Sequence, residues 1–143
     1  MFKNYPNFTL AEFIKSDTAT KKHIDNTPTE EVVAHLDELV GTLLQPLRTA
    51  YGKPLNITSG YRCPALNKAV GGSATSAHLR GYAADVQCKN LKGFIAFAEN
   101  WLKENNIPFD QSIREKSGKT EWWHIGLRNS KGEQRRMFMT ITK

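Results

Sequence analysis

The sequence predicts an α+β fold: one domain over residues 1–143, with helices packed on a mainly antiparallel sheet. Three observations predict it. Apolar residues recur at helical spacing through Val32, Val33, Leu36, Leu39, Val40, Leu43, Leu44 and Leu47. A second such run holds Phe94, Phe97, Ala98, Trp101 and Leu102. The last third instead reads as short strands separated by turn residues.

The elements follow in order. Thr9 and Glu12 fit a capping box that opens a short helix through about Lys15. In "NTPTEE", Thr27 can cap, Pro28 suits the first helical position and Glu30 closes the box. The long core helix that follows should bend or break near Gln45-Pro46, because proline has no N–H to donate. His35 lies beside the apolar stripe and reads as a partly exposed helix residue. "LNITS" from Leu55 reads as a strand, and "PALNKAVGG" as a short helix stopped by Gly71 and Gly72. A small polar loop, Ser73 to Ala77, precedes the strand "YAADVQ". Asn90 can cap the second long helix, which ends near Asn105-Asn106. Strands are expected at about Asp110–Lys116, Trp122–Arg128 and Arg136–Ile141, joined as a meander through "SGK" and "NSKG".

Composition narrows the function. Twenty Lys and Arg against fourteen Asp and Glu leave a charge of +6, spread along the chain. Such a surface favours anionic partners, wall polymers included, but no stripe marks a nucleic-acid site, and no nucleic-acid partner is expected. No apolar run is long enough for a secretory signal or a membrane span, so synthesis in the cytoplasm without membrane insertion is expected. Cys63 and Cys88 form neither a disulfide framework nor a CxxC pair; free buried thiols are the simpler reading, with a single disulfide or a direct role in the site the alternatives.

Chemistry concentrates in two stretches, "SAHLRGYAADV" from Ser76 and "EWWHIGL" from Glu121. His78, Asp85 and His124 are the side chains that a catalytic zinc takes as three ligands, leaving one position open. Glu121 would then be the proton carrier. Residues three apart on a strand face opposite ways, so Glu121 and His124 share a site only if the strand starts after Glu121 or bulges there; one of the two is expected. Arg62, after the strand in "TSGYR", could hold a substrate carboxylate or an oxyanion, or be a solvated surface group. The Trp122-Trp123 pair is either core or pocket wall; Trp123 is taken as the substrate-binding member. On residue types and spacing alone, a metal site and a chance grouping stand level.

"SGYR", "SAHLRGYAAD" and "EWWH" together resemble the zinc D-Ala-D-Ala peptidases. That group holds D,D-carboxypeptidases, D-Ala-D-Ala dipeptidases and phage L-alanyl-D-glutamate endolysins, and shares its fold with the hedgehog signalling domain. Ser76, His78, Gly81, Ala83 and Asp85 fill its first motif, and Glu121 and His124 its second; the likeness runs from about Ser59 to Gly126. The resemblance implies one zinc per chain held by His78, Asp85 and His124. It implies Glu121 as general base and acid, Arg62 at the transition state, and Ser76 on the substrate. The implied partners are peptidoglycan stem peptides or other peptides containing D-amino acids; a monomer is the default expectation. "NFTLAEF" and the long helix look like phage and prophage members, which reach the wall after phage-type release. Some carboxypeptidase members carry a His where this chain has Trp122, which favours the endolysin and dipeptidase side. The alternative is a non-catalytic zinc module that binds wall peptide or a protein partner.

Overall fold

The computed structural model describes all 143 residues. The early chain is helical. Helix α1 spans Leu10–Ile14, and the Glu12 carboxylate accepts from both the N–H and the hydroxyl of Thr9. Helix α2 spans Asp17–Lys21, with the Ser16 hydroxyl accepting from Ala19 N–H. Helix α3 spans Glu30–Leu39. Its cap is Thr29, not the expected Thr27: the Thr29 hydroxyl accepts from Val32 N–H. Thr27 is occupied elsewhere, donating its own hydroxyl to Asp25 at 2.6 Å. An Asx turn at Asp25 thus outcompetes the nearer capping signal and moves the helix start two residues on.

The predicted interruption near Pro46 is a π turn. Helix α3 runs into Val40–Leu44, where Gln45 N–H reaches back five residues to Val40 C=O, and then into α4, Gln45–Tyr51. The widened turn lies immediately before the proline, so the missing donor bends the ladder without ending the rod. Leu36, Leu39, Leu43, Leu44 and Leu47 along this rod are fully buried. Strand β1 spans Asn56–Ser59 and helix α5 spans Pro64–Ala69. A 3₁₀ turn, Ala77–Arg80, leads through Gly81 into strand β2, Ala83–Gln87. Helix α6, Leu91–Glu104, is capped by Asn90 as expected. Strands β3, β4 and β5 span Gln111–Ser117, Thr120–Gly126 and Met137–Thr142.

The sheet order is β1-β2-β4-β3-β5. Every pairing is antiparallel except the last, where β5 lies parallel to β3. The late strands are therefore not a meander: β5 passes over β3 to its outer edge. Arg135 guides that crossing, because its guanidinium grips the buried Asp110 carboxylate at 2.7 and 2.9 Å just before β3. The sheet divides the molecule. Ala84, Val86, Trp123 and Ile125 point to the helices and join the core. Alternation sends Asp85, Trp122 and His124 to the other face, which borders an open cleft.

Candidate metal centre

His78 rides on the 3₁₀ turn and is 1% exposed. Ser76 starts that turn, its hydroxyl accepting from His78 N–H at 3.2 Å. Gly81 ends it at φ +78°, a left-handed conformation that a side chain would strain, and a Cβ there would meet Val32 C=O at 2.9 Å. The His78 ring is fixed from behind: its Nδ1 lies 2.6 Å from Gly60 C=O. A carbonyl only accepts, so Nδ1 carries the proton and Nε2 is left free to ligate. Nε2 faces Asp85 Oδ1 at 3.3 Å.

Asp85 and His124 stand directly opposite one another on β2 and β4, with His124 Nδ1 3.1 Å from Asp85 Oδ1. Ligand atoms of His78, Asp85 and His124 all lie within 4.8 Å of one another. Burial pushes the His78 pKa down, only partly offset by Asp85. Burial alone would raise Asp85, but the two imidazoles outweigh it and hold the carboxyl well below its usual range. Two nitrogens and a carboxylate oxygen, with one ring oriented by a backbone carbonyl, are a donor set suited to a borderline divalent ion. The cleft beside them, about 790 Å³, leaves room for a further ligand.

Arg62 lines the same cleft. Its backbone N–H donates to His78 C=O at 3.1 Å, tying it to the ligand turn. Burial lowers the guanidinium pKa, while Asp85 and Glu115 pull it back up. Its Nε is buried with no protein partner. Ser76 also borders the cleft.

Two expected site residues lie elsewhere. Strand β4 begins at Thr120 and pairs with β3 in unbroken register from Ser117↔Thr120 to Gln111↔Gly126. It neither starts late nor bulges, so Glu121 falls on the opposite face from His124. Its carboxylate lies 3.0 Å from Arg114 and 3.9 Å from Lys116. Trp123 is the other correction. It is fully buried, packs edge-on to Phe94 at 5.3 Å and donates its indole N–H to Ser112. Trp122 is the tryptophan on the cleft wall.

The structure supplies a carboxylate that the motif reading missed. Glu115 on β3 is the register partner of Trp122 and lines the cleft on the face that carries His124. Its side chain is 13% exposed, with the Lys143 ammonium 3.9 Å away. The signal was available: a two-residue turn at Gly118-Lys119 pairs Ser117 with Thr120, and counting outward sets Glu115 opposite Trp122.

The remaining candidates resolve simply. His35 is partly exposed, stacked on Tyr82 at 4.0 Å with Nδ1 donating to Arg80 C=O. Cys63 and Cys88 are half-buried free thiols. No helix is long and apolar enough to cross a membrane.

This arrangement, an N/N/O triad bordering a cleft that an arginine and a carboxylate also line, could hold one divalent metal ion. The family model described as peptidase M15 matches residues 6–125, and the chain belongs to that family. The zinc D-Ala-D-Ala carboxypeptidase of Streptomyces albus G is 40% identical over 57 residues, which are 39% of this chain and 22% of that protein. The chain thus spans about a fifth of the length of that curated relative.

Proposed function

We propose that residues 1–143 form one monomeric zinc peptidase domain that hydrolyses peptidoglycan stem peptides. The observation that carries this is the convergence of His78 Nε2, Asp85 Oδ1 and His124 Nδ1 in an open cleft. The S. albus G relative, a zinc enzyme by its name, supports the choice of metal and the substrate class. The net charge of +6 suits an anionic wall.

His78, Asp85 and His124 hold the ion. Zinc held there supplies Lewis-acid chemistry, polarising a carbonyl and making water a nucleophile near neutral pH. Glu115, rather than Glu121, accepts the proton of the attacking water and passes it to the departing amine. The water oxygen bonds to the carbonyl carbon, the C–N bond breaks, and the amine leaves with that proton. Arg62 offers N–H groups to the oxyanion that develops on the carbonyl oxygen. Ser76, whose oxygen already accepts from His78 N–H, keeps its own hydroxyl proton to donate to bound peptide.

The test joins metal content to digestion. The purified chain should carry one zinc and release defined fragments from peptidoglycan, read by mass spectrometry. His78→Ala should lose both metal and product. One zinc per chain with no product from peptidoglycan, D-Ala-D-Ala or a wider peptide panel would instead mark a binding module.

A further inference from the structure

Asn26 opens the stretch "NTPTEE" and is 7% exposed, between the exposed residues Asp25 and Thr27. The Asx turn at Asp25 bends the chain there and leaves the Asn26 side chain on the inside. Its amide nitrogen donates to Ile14 C=O at 2.8 Å and to Tyr61 C=O at 3.0 Å. Its amide oxygen accepts from Cys63 N–H at 2.8 Å. Carbonyls only accept and an N–H only donates, so the partners fix which end of the amide is which.

Two of the three partners flank a single residue. Tyr61 C=O belongs to the peptide plane before the Arg62 Cα, and Cys63 N–H to the plane after it. Those planes turn about φ and ψ of Arg62, so one side chain fixes both dihedrals. In the first plane, Arg62 N–H also donates to His78 C=O at 3.1 Å. Residues 60–63 belong to no helix or strand. No ladder pairs their polar groups, and Asn26 stands in for one. From this fixed backbone the Arg62 side chain reaches the cleft. Its Nε is buried with no protein partner, which leaves the backbone to set its aim.

We infer that Asn26 is a positioning residue for Arg62, fixing the backbone from which the guanidinium meets the developing oxyanion. The inference rests on the peptidase reading above, in which Arg62 offers that oxyanion its N–H groups. A purely structural asparagine would stabilise the fold and leave the chemical step alone. One that acts through Arg62 changes the rate only while Arg62 is present.

The experiment is a double-variant cycle on the zinc-loaded chain with one defined stem peptide. Arg62→Ala should lower kcat by about 100-fold, the scale of a lost oxyanion donor. Asn26→Ala should lower kcat by about tenfold or more, with KM and zinc affinity each within about threefold, because a misplaced donor weakens the transition state and not substrate binding. In the Arg62→Ala background the same change should cost less than about twofold in kcat. Thr29→Ala, which removes the α3 cap on the same segment, is the control: it should lower the melting temperature and keep kcat. Asn26→Ser, which removes the planar amide and keeps the position polar, takes the place of Asn26→Ala in the cycle if that variant does not fold. Equal loss of kcat in both backgrounds, an unchanged kcat in Asn26→Ala, or a loss of zinc affinity that matches the loss of rate overturns the inference while the peptidase reading stands. Bound zinc with no peptide cut by the wild-type chain sinks both.

Discussion

Asp85 and His124 face each other across an antiparallel pair, carboxylate oxygen to imidazole nitrogen at 3.1 Å, with no residue between them to relax the contact. Two rigid strands thus hold two of the three proposed ligands at fixed spacing before any ion arrives. Asp85→Asn keeps the shape but removes the negative charge. Zinc affinity should fall by at least about 100-fold, because the change strikes a ligand rather than its outer support. Competition with a chelating dye measures it; an unchanged affinity would remove Asp85 from the ligand set.

Glu115 and Glu121 make opposite predictions. Glu115→Gln should keep zinc and fold but reduce kcat by about 100-fold or more, the usual scale for a lost general base. Glu121→Gln should leave kcat within about twofold and cost under about 1 kcal/mol of stability, as expected of a partly exposed ion pair with Arg114. Steady-state rates on one defined peptide decide between them, and the reverse ranking would return the role to Glu121.

Gly72 sits where nothing larger fits. A Cβ there would lie 2.1 Å from Asn67 Oδ1 and 3.2 Å from Arg62 Nη1. Asn67 is buried and its amide donates to Ser73 C=O, holding the lip of the cleft. Gly72→Ala should therefore cost about 1–3 kcal/mol through overpacking and also reduce turnover by displacing Arg62. Thermal unfolding and kinetics on the same preparation should move together; a variant that keeps full stability and rate would show that the lip yields freely.

Asp110 is 2% exposed and depends on Arg135 for its charge partner. Arg135→Ala leaves it one backbone N–H, that of residue 135 itself. The expected loss is about 2 kcal/mol, below the range for fully buried pairs because Arg135 is itself partly solvated. Denaturant titration of the single variants and of the double variant with Asp110→Asn gives the coupling, and a value near zero would make the pair incidental to the β5 crossing.

The amino-terminal segment carries a pH signature. Tyr5 donates to Asp37 at 2.7 Å, and Lys3 contacts the same carboxylate. Burial, then the Asp37 contact, pushes the Tyr5 pKa up to about 12. Burial would raise Asp37, but hydrogen bonds from Lys3 and Tyr5 hold it below its usual value. The Tyr5 contribution is complete below its unfolded pKa of about 10 and fades as pH rises through 12; the Asp37 contribution is complete above about 4 and fades as pH falls through its lowered pKa. The melting-temperature difference between wild type and Tyr5→Phe should be flat from about pH 5 to 9 and shrink above 10. A difference that grows in alkali would reverse the sign of the argument.

Much of this was legible in the chain. The apolar periods located the rod from α3 to α4 and helix α6, and Pro46 announced the bend that became a π turn. His78, Asp85 and His124 stood out because few side chain types bind such an ion, and the structure brings all of them together. What was hidden depended on partners far away in sequence. Strand parity sets Glu121 and His124 on opposite faces of a regular strand, and β4 is regular from Thr120 onward. The same rule applied to the core would have assigned Trp123 inward with Ile125 and left Trp122 for the cleft. The parallel seat of β5 had no local signal, since it rests on Asp110 receiving Arg135 across the outer edge of the sheet.

Gly60 lies between the first helix and the ligand turn: its carbonyl aims the His78 ring, and a Cβ on it would strike Phe13 C=O at 2.6 Å. Tyr61 N–H bonds that same Phe13 carbonyl at 2.7 Å. The orientation of one proposed ligand is therefore inherited from residues far upstream, through bare backbone with no side chain to cushion a misfit. A fragment trimmed to the recognisable motifs would keep every proposed ligand and lose the frame that points them. Ion affinity in this molecule doubles as a gauge of how well its opening helix is docked.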